Sequence, residues 1–168
     1  MNLQTAAKKA QTSKIWNYIL NLGLLRMVPF NRPHNFWVNK LTKNEVQVKL
    51  PYIKLNMNHV KGIHACAMAT TSEYASGLLL LHRLNPKEFR IIMESIAVKY
   101  HYQGKTTAFT KFILTDDEFE KEITNPLKSE DAIYKLCEVK TYDKNENLLC
   151  TASVNWQIKN WKKVKTKV

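Results

Sequence analysis

The order of periodicities along the chain is helix, two strands, an enclosed helix and four strands, which predicts an α+β fold with a long antiparallel sheet wrapped over one central helix. Three features carry this expectation. Strict period-two alternation marks the second half of the chain, a single apolar run of helical length precedes it, and short turn sequences separate the strands, so that neighbours should pair antiparallel. At 168 residues the chain has room for one such domain with short extensions.

Taken in order, Ser13 can cap a helix in which Ile15, Trp16, Ile19, Leu20 and Leu22 recur at three- and four-residue steps, ending around Gly23 or before Pro29. Residues 1–30 therefore form an extension carrying a helix. Two short strands follow at 35–41 and 45–51, the second alternating Val46, Val48 and Leu50 with Gln47 and Lys49, and Lys43-Asn44 supplies the hairpin turn. From Ala65 to Leu81 the residues are small or apolar on nearly every face, as in a helix enclosed by other structure, and Asn85-Pro86 ends it. Strands are expected at 89–102, 105–115, 132–142 and 147–160, with Gln103-Gly104 and Asp143-Lys144-Asn145 as turns. A capping box, Thr115-Asp116-Asp117-Glu118, opens a short acidic helix that stops at Asn125-Pro126. Residues 31–160 make up the domain, and a basic tail, 161–168, should fray together with Lys159.

Composition removes several function classes. Only four glycines are present and none falls in a phosphate-cradling loop pattern, so dinucleotide and nucleotide-triphosphate folds are set aside. The formal charge of +12 favours anionic partners, but 22 of the 26 cations are lysine and four arginine, and the arginine fork is what usually reads phosphate and guanine. Nucleic acid is not the partner this composition favours. Cys66, Cys137 and Cys150 cannot all pair within the chain and show no metal-ligand spacing, which fits a reducing cytoplasmic compartment and no metal site. Neither apolar stretch should span a membrane: Asn17, Asn21 and Arg26 interrupt the first, and Glu73 with its polar neighbours the second.

Between Gly62 and Leu81 the only formally charged residue is Glu73, and a lone carboxylate in an enclosed helix is expensive unless paired, neutralised or functional. Upstream stands the pattern Asn58-x3-Gly62-x-His64-x8-Glu73. It resembles the hotdog-fold thioesterases, in particular the phenylacetate-type acyl-CoA thioesterase branch and its relatives, which carry an Asn six residues before a His-Gly-Gly and an acid nine residues after the His. Ala65 and Cys66 stand here where that family has its two glycines.

The resemblance implies a hotdog domain in a homodimer or tetramer acting on an acyl-CoA-type ligand. Coenzyme A would enter as part of the substrate, with no separate cofactor. It implies Glu73 as general base or nucleophile reaching the site from the neighbouring subunit, Asn58 orienting water or thioester, and His64 setting the loop before the helix. The free N–H groups of the helix start, at Ala65 and Cys66 beside Gly62, would stabilise the oxyanion. Cys66 is a weaker nucleophile candidate, and the tail lysines weaker candidates for the coenzyme A phosphates. A non-catalytic acyl or lipid binder and a hotdog dehydratase or hydratase remain as alternatives.

Overall fold

The structure is a computed structural model, which describes residues 3–165. Two helices open the chain, α1 (Leu3–Ala10) and α2 (Lys14–Met27), followed by a 3-10 turn at Pro29–Asn31. The sequence reading expects only the second of them. Alanines in α1 have no apolar periodicity to display, yet Ala6 and Ala7 are buried because their small side chains let the helix lie close against its neighbours. Ser13 caps α2 as expected, its hydroxyl accepting from the Trp16 N–H.

Six strands form one antiparallel sheet: β1 (Trp37–Leu41), β2 (Glu45–Leu50), β3 (Phe89–Tyr100), β4 (Ala108–Ile113), β5 (Ala132–Asp143) and β6 (Leu148–Asn160), in spatial order β1-β2-β4-β5-β6-β3. The central helix α3 (Ala65–Arg83) lies in its concave face. Alternation decides which residues meet it, and Val46, Val48, Ala108, Cys137, Val139, Ala152, Val154 and Ile158 are all buried. On the helix, small residues at Ala67, Thr71, Ser72, Ala75, Ser76 and Gly77 allow close approach, and Leu78, Leu79 and Leu80 fill the space beyond. The buried hydroxyls cost little because each has a partner. Ser72 and Ser76 donate to carbonyls one turn back, and Thr71, Thr110 and Thr141 form a chain of 2.8 Å hydrogen bonds from helix to sheet.

One pairing differs from expectation. Gln103-Gly104 does not turn β3 back onto β4; β3 pairs with β6, from Phe89 opposite Asn160 to Tyr100 opposite Cys150. The segment 101–107 crosses the end of the sheet instead, held by the His101 N–H on the Leu149 carbonyl and the Ile63 N–H on the Gly104 carbonyl. Gly104 serves close packing here, since a Cβ would lie 2.7 Å from Leu149 Cδ1. The capping box is present in full and opens α4 (Asp116–Phe119), which runs on as a wider turn to Thr124. Lys159 belongs to β6 rather than to a frayed tail. Trp161 beyond it is tied to the Glu88 and Pro86 carbonyls and Lys163 to Asp131, while Lys167 lies outside the described residues.

The two sheet edges are treated differently. At β1, Asn21 of α2 imitates a neighbouring strand, its Oδ1 accepting from the Val38 N–H and its Nδ2 donating to the Val38 carbonyl, with Asn17 Nδ2 donating to the same oxygen. The polar residues that interrupt the apolar run of α2 thus cover an edge. At the other side the twelve-residue strand β3 pairs with β6 along one edge, and its outer edge has no partner strand among the described residues.

Candidate functional site

The loop entering α3 is fixed by short-range hydrogen bonds. Asn58 Oδ1 accepts from the Val60 and Gly62 N–H groups at 3.1 and 2.9 Å, and the Asn58 N–H donates to the Gly62 carbonyl. The left-handed position of this turn falls on Lys61, with φ of 58°, while Gly62 keeps an ordinary conformation and is buried under the Gln103 side chain. Asn56, also buried, ties the loop to the His34 and Pro51 carbonyls and accepts the His64 N–H on its own carbonyl. The side chain of Asn58 therefore holds the loop.

His64 is the N-cap of α3. Its Nδ1 accepts from the Cys66 N–H at 3.1 Å, which puts the ring proton on Nε2. Of the two N–H groups named from the sequence, the one at Cys66 is thereby engaged, and the one at Ala65 has no protein acceptor among the described residues. Ala65 and Cys66 are both exposed and lie beside the end of β3, where the Tyr100 hydroxyl donates to the Ala65 carbonyl at 3.1 Å.

Glu73 lies eight residues into α3, about 12 Å along the axis from Ala65 at 1.5 Å per residue. One protomer therefore does not bring the carboxylate to its own helix start. Glu73 is half-buried, and no cation or hydrogen-bond donor among the described residues reaches its carboxylate, so burial pushes its pKa up. It lines an apolar cavity of about 260 Å³ between α3, the end of α2, the Pro29–Asn31 turn and Trp156. Tyr74, whose hydroxyl burial also pushes up, stands beside it.

The cavity holds one residue that the sequence reading missed. Asn31 is 2% exposed and its Nδ2 has no hydrogen-bond partner, a situation that costs about 1–3 kcal/mol when nothing else supplies one. No sequence signal marks it, because its neighbourhood with Glu73 arises only when the N-terminal segment folds over α3. A second, wider concavity lies on the outer face of β2, β4 and β5 among charged side chains, away from Glu73 and the helix start. Among the described residues no group of three His, Cys, Asp or Glu side chains is placed to hold a metal ion, and no described helix is long and apolar enough to cross a membrane.

The family model described as a domain of unknown function, DUF4442, matches residues 17–158. The chain belongs to this family. The DUF4442 match runs from within α2 to within β6 and takes in the candidate site, and a comparison with curated proteins finds no match. Among solved structures, a Pseudomonas aeruginosa protein described as a probable thioesterase superposes with a TM-score of 0.75 at 15% identity, over 81% of this chain and 90% of its own. A Haemophilus influenzae thioesterase gives 0.66 at 8% identity over 83% and 90%, and a Staphylococcus aureus thioesterase 0.61 at 13% over 78% and 98%. At such identities the likeness establishes the fold of this DUF4442 member, which is the hotdog fold.

Proposed function

We propose that the protein hydrolyses acyl thioesters of coenzyme A or an acyl carrier, working as a homodimer. The observation that carries this reading is Glu73: a half-buried carboxylate without a partner, opening into an apolar cavity of acyl-chain character. A carboxylate that loses solvation without gaining a cation holds its proton more tightly, which makes it a better general base. In the proposed reaction Glu73 takes a proton from water as the water oxygen attacks the thioester carbonyl. The Ala65 N–H of the partner subunit donates to the developing oxyanion, the C–S bond breaks to leave the free acid, and the departing thiolate takes the proton that Glu73 removed from water, which returns Glu73 to its carboxylate form. The free outer edge of β3, next to the helix start, is the edge through which two copies would pair. Asn31 Nδ2 supplies a donor to the bound acyl group. No cofactor takes part, and free cysteines at 66, 137 and 150 fit a cytoplasmic setting.

The test is thiol release from a panel of acyl-CoA substrates of increasing chain length. Glu73→Gln should fold and dimerise normally and lose turnover by about a hundredfold or more. Turnover unchanged in that variant, or a stable monomer at micromolar concentration in sedimentation, would overturn the reading. A second reading, an acyl binder without chemistry, is favoured by the Cys66 N–H being engaged by His64, which leaves one donor for the oxyanion. It predicts saturable acyl-CoA binding with no thiol released by wild type.

A further inference from the structure

We infer that the outer face of α2 docks the protein onto an anionic lipid bilayer. The side of α2 turned away from β1 carries Ile15, Ile19 and Leu22 at helical spacing, Tyr18 stands at its margin with its ring 5.7 Å from that of Trp37 in β1, and Met27 at the helix end and Phe30 beyond it continue the apolar surface. Ile15 is 73% exposed and Phe30 66%, and none of the six is less than two-fifths exposed. Large apolar side chains presented side by side to water mark an interaction surface.

Charge selects the occupant. The first carboxylate in the sequence is Glu45, and ahead of it stand seven lysines and arginines. Lys14 and Arg26 stand in the first and last turns of α2, Arg32 follows the Pro29–Asn31 turn, and Lys8 and Lys9 end α1, with the Lys9 ammonium 4.2 Å over the Trp16 ring; none of the five is in an ion pair among the described residues. An amphipathic helix with an apolar face and basic flanks binds in the plane of an anionic interface. At 14 residues α2 is too short to cross one. A second copy does not account for this face, because α2 sits on β1 and the free edge β3 is at the opposite side of the sheet. Met27 and Phe30 line the Glu73 cavity as well as the exposed face, so docking sets the cavity mouth against the lipid. The docking itself does not depend on what reaction the cavity supports.

The experiment is flotation of the full chain with vesicles of phosphatidylcholine containing about one third phosphatidylglycerol, and with pure phosphatidylcholine, at low and high salt. The wild type should float with the anionic vesicles, at least tenfold less with neutral ones, and less in high salt. Ile19→Asp combined with Leu22→Asp should abolish flotation while leaving the melting transition and the turnover of a short, soluble acyl-CoA intact. Lys14→Glu, which favours the positive end of α2 and so cannot act by unfolding it, should weaken flotation. Absence of wild-type flotation, equal binding to neutral vesicles, or full binding by the double Asp variant would overturn the inference. So would dissociation of an oligomer by that variant, which would assign the face to a second copy. Loss of turnover in Glu73→Gln with flotation retained would leave the docking standing whatever the chemistry.

Discussion

Gly77→Ala tests how tightly α3 is pressed against the sheet at the cavity. In a free helix the change stabilises by about 0.8–1.0 kcal/mol. Here the new Cβ would lie 2.7 Å from Trp156 Cη2 and 2.8 Å from Cζ2, well inside contact distance. The indole is 7% exposed and its Nε1 donates to Ser76 Oγ at 2.9 Å, so the ring cannot swing aside without losing that bond. Overpacking a filled core costs about 1–3 kcal/mol and the lost hydrogen bond about 1 kcal/mol. The balance is a net loss of about 1–3 kcal/mol, which lowers Tm by about 2–12 °C for a chain of this size. Thermal and urea denaturation followed by circular dichroism measure it. Trp156→Phe removes the two offending ring atoms, so in that background Gly77→Ala should be neutral or stabilising, with a coupling of about 1–3 kcal/mol. A Gly77→Ala variant that is more stable than wild type by about 1 kcal/mol would refute the reasoning and show the helix free to move off the indole.

Two further outcomes follow from the cavity. A carboxyl whose pKa is raised on folding binds its proton more tightly in the folded chain, so stability falls as pH rises from 4.5 through the folded value. Glu73→Gln removes that loss. The variant should melt above wild type at pH 7 and together with it near pH 4, and a difference independent of pH would count against the desolvated carboxylate. Asn31→Leu deletes the unpartnered donor while keeping the branching and number of side-chain heavy atoms, its bulkier methyl groups beside the cavity, and should leave stability unchanged or raise it by up to about 3 kcal/mol, while raising KM or lowering kcat for acyl thioesters. A marked loss of stability would show that Asn31 has a structural partner after all.

What the sequence could reveal depended on how far apart the interacting residues were. The alternation of β6, the stop at Asn85-Pro86 and the Thr115 capping box are local patterns, and the structure keeps all three. The partner of β3 is not local. Gln103-Gly104 has the composition of a hairpin turn, but the burial of Gly104 against Leu149 and Ile63 decides its use, and neither residue is near it in sequence. Asn17 and Asn21 read as breaks in an apolar run because their target, the Val38 backbone, is an edge that exists only once the sheet has formed. At the candidate site, Glu73 stood out as an isolated charge, whereas the cavity it lines is closed in part by residues far from it in sequence, at the end of α2, in the turn after it and at Trp156. The spacing of Asn58 and His64 was visible too, but that Asn58 spends its oxygen on the loop and His64 spends its Nδ1 on Cys66 is a matter of geometry.

The pairing of β3 with β6 sets the order in which the chain can assemble. Tyr100 must wait for Cys150 and Phe89 for Asn160, so β3 leaves the ribosome with no strand to join. At about 5–20 residues per second that wait lasts several seconds, during which the flank of α3 that β3 covers stays wet. Pairings of such long sequence separation are slow to form, and an apolar strand that waits for its partner is open to the same strand of another nascent chain. The bulge between Met93 and Ser95 and the charges at Arg90, Glu94 and Lys99 make β3 a poor template for indiscriminate pairing through that interval.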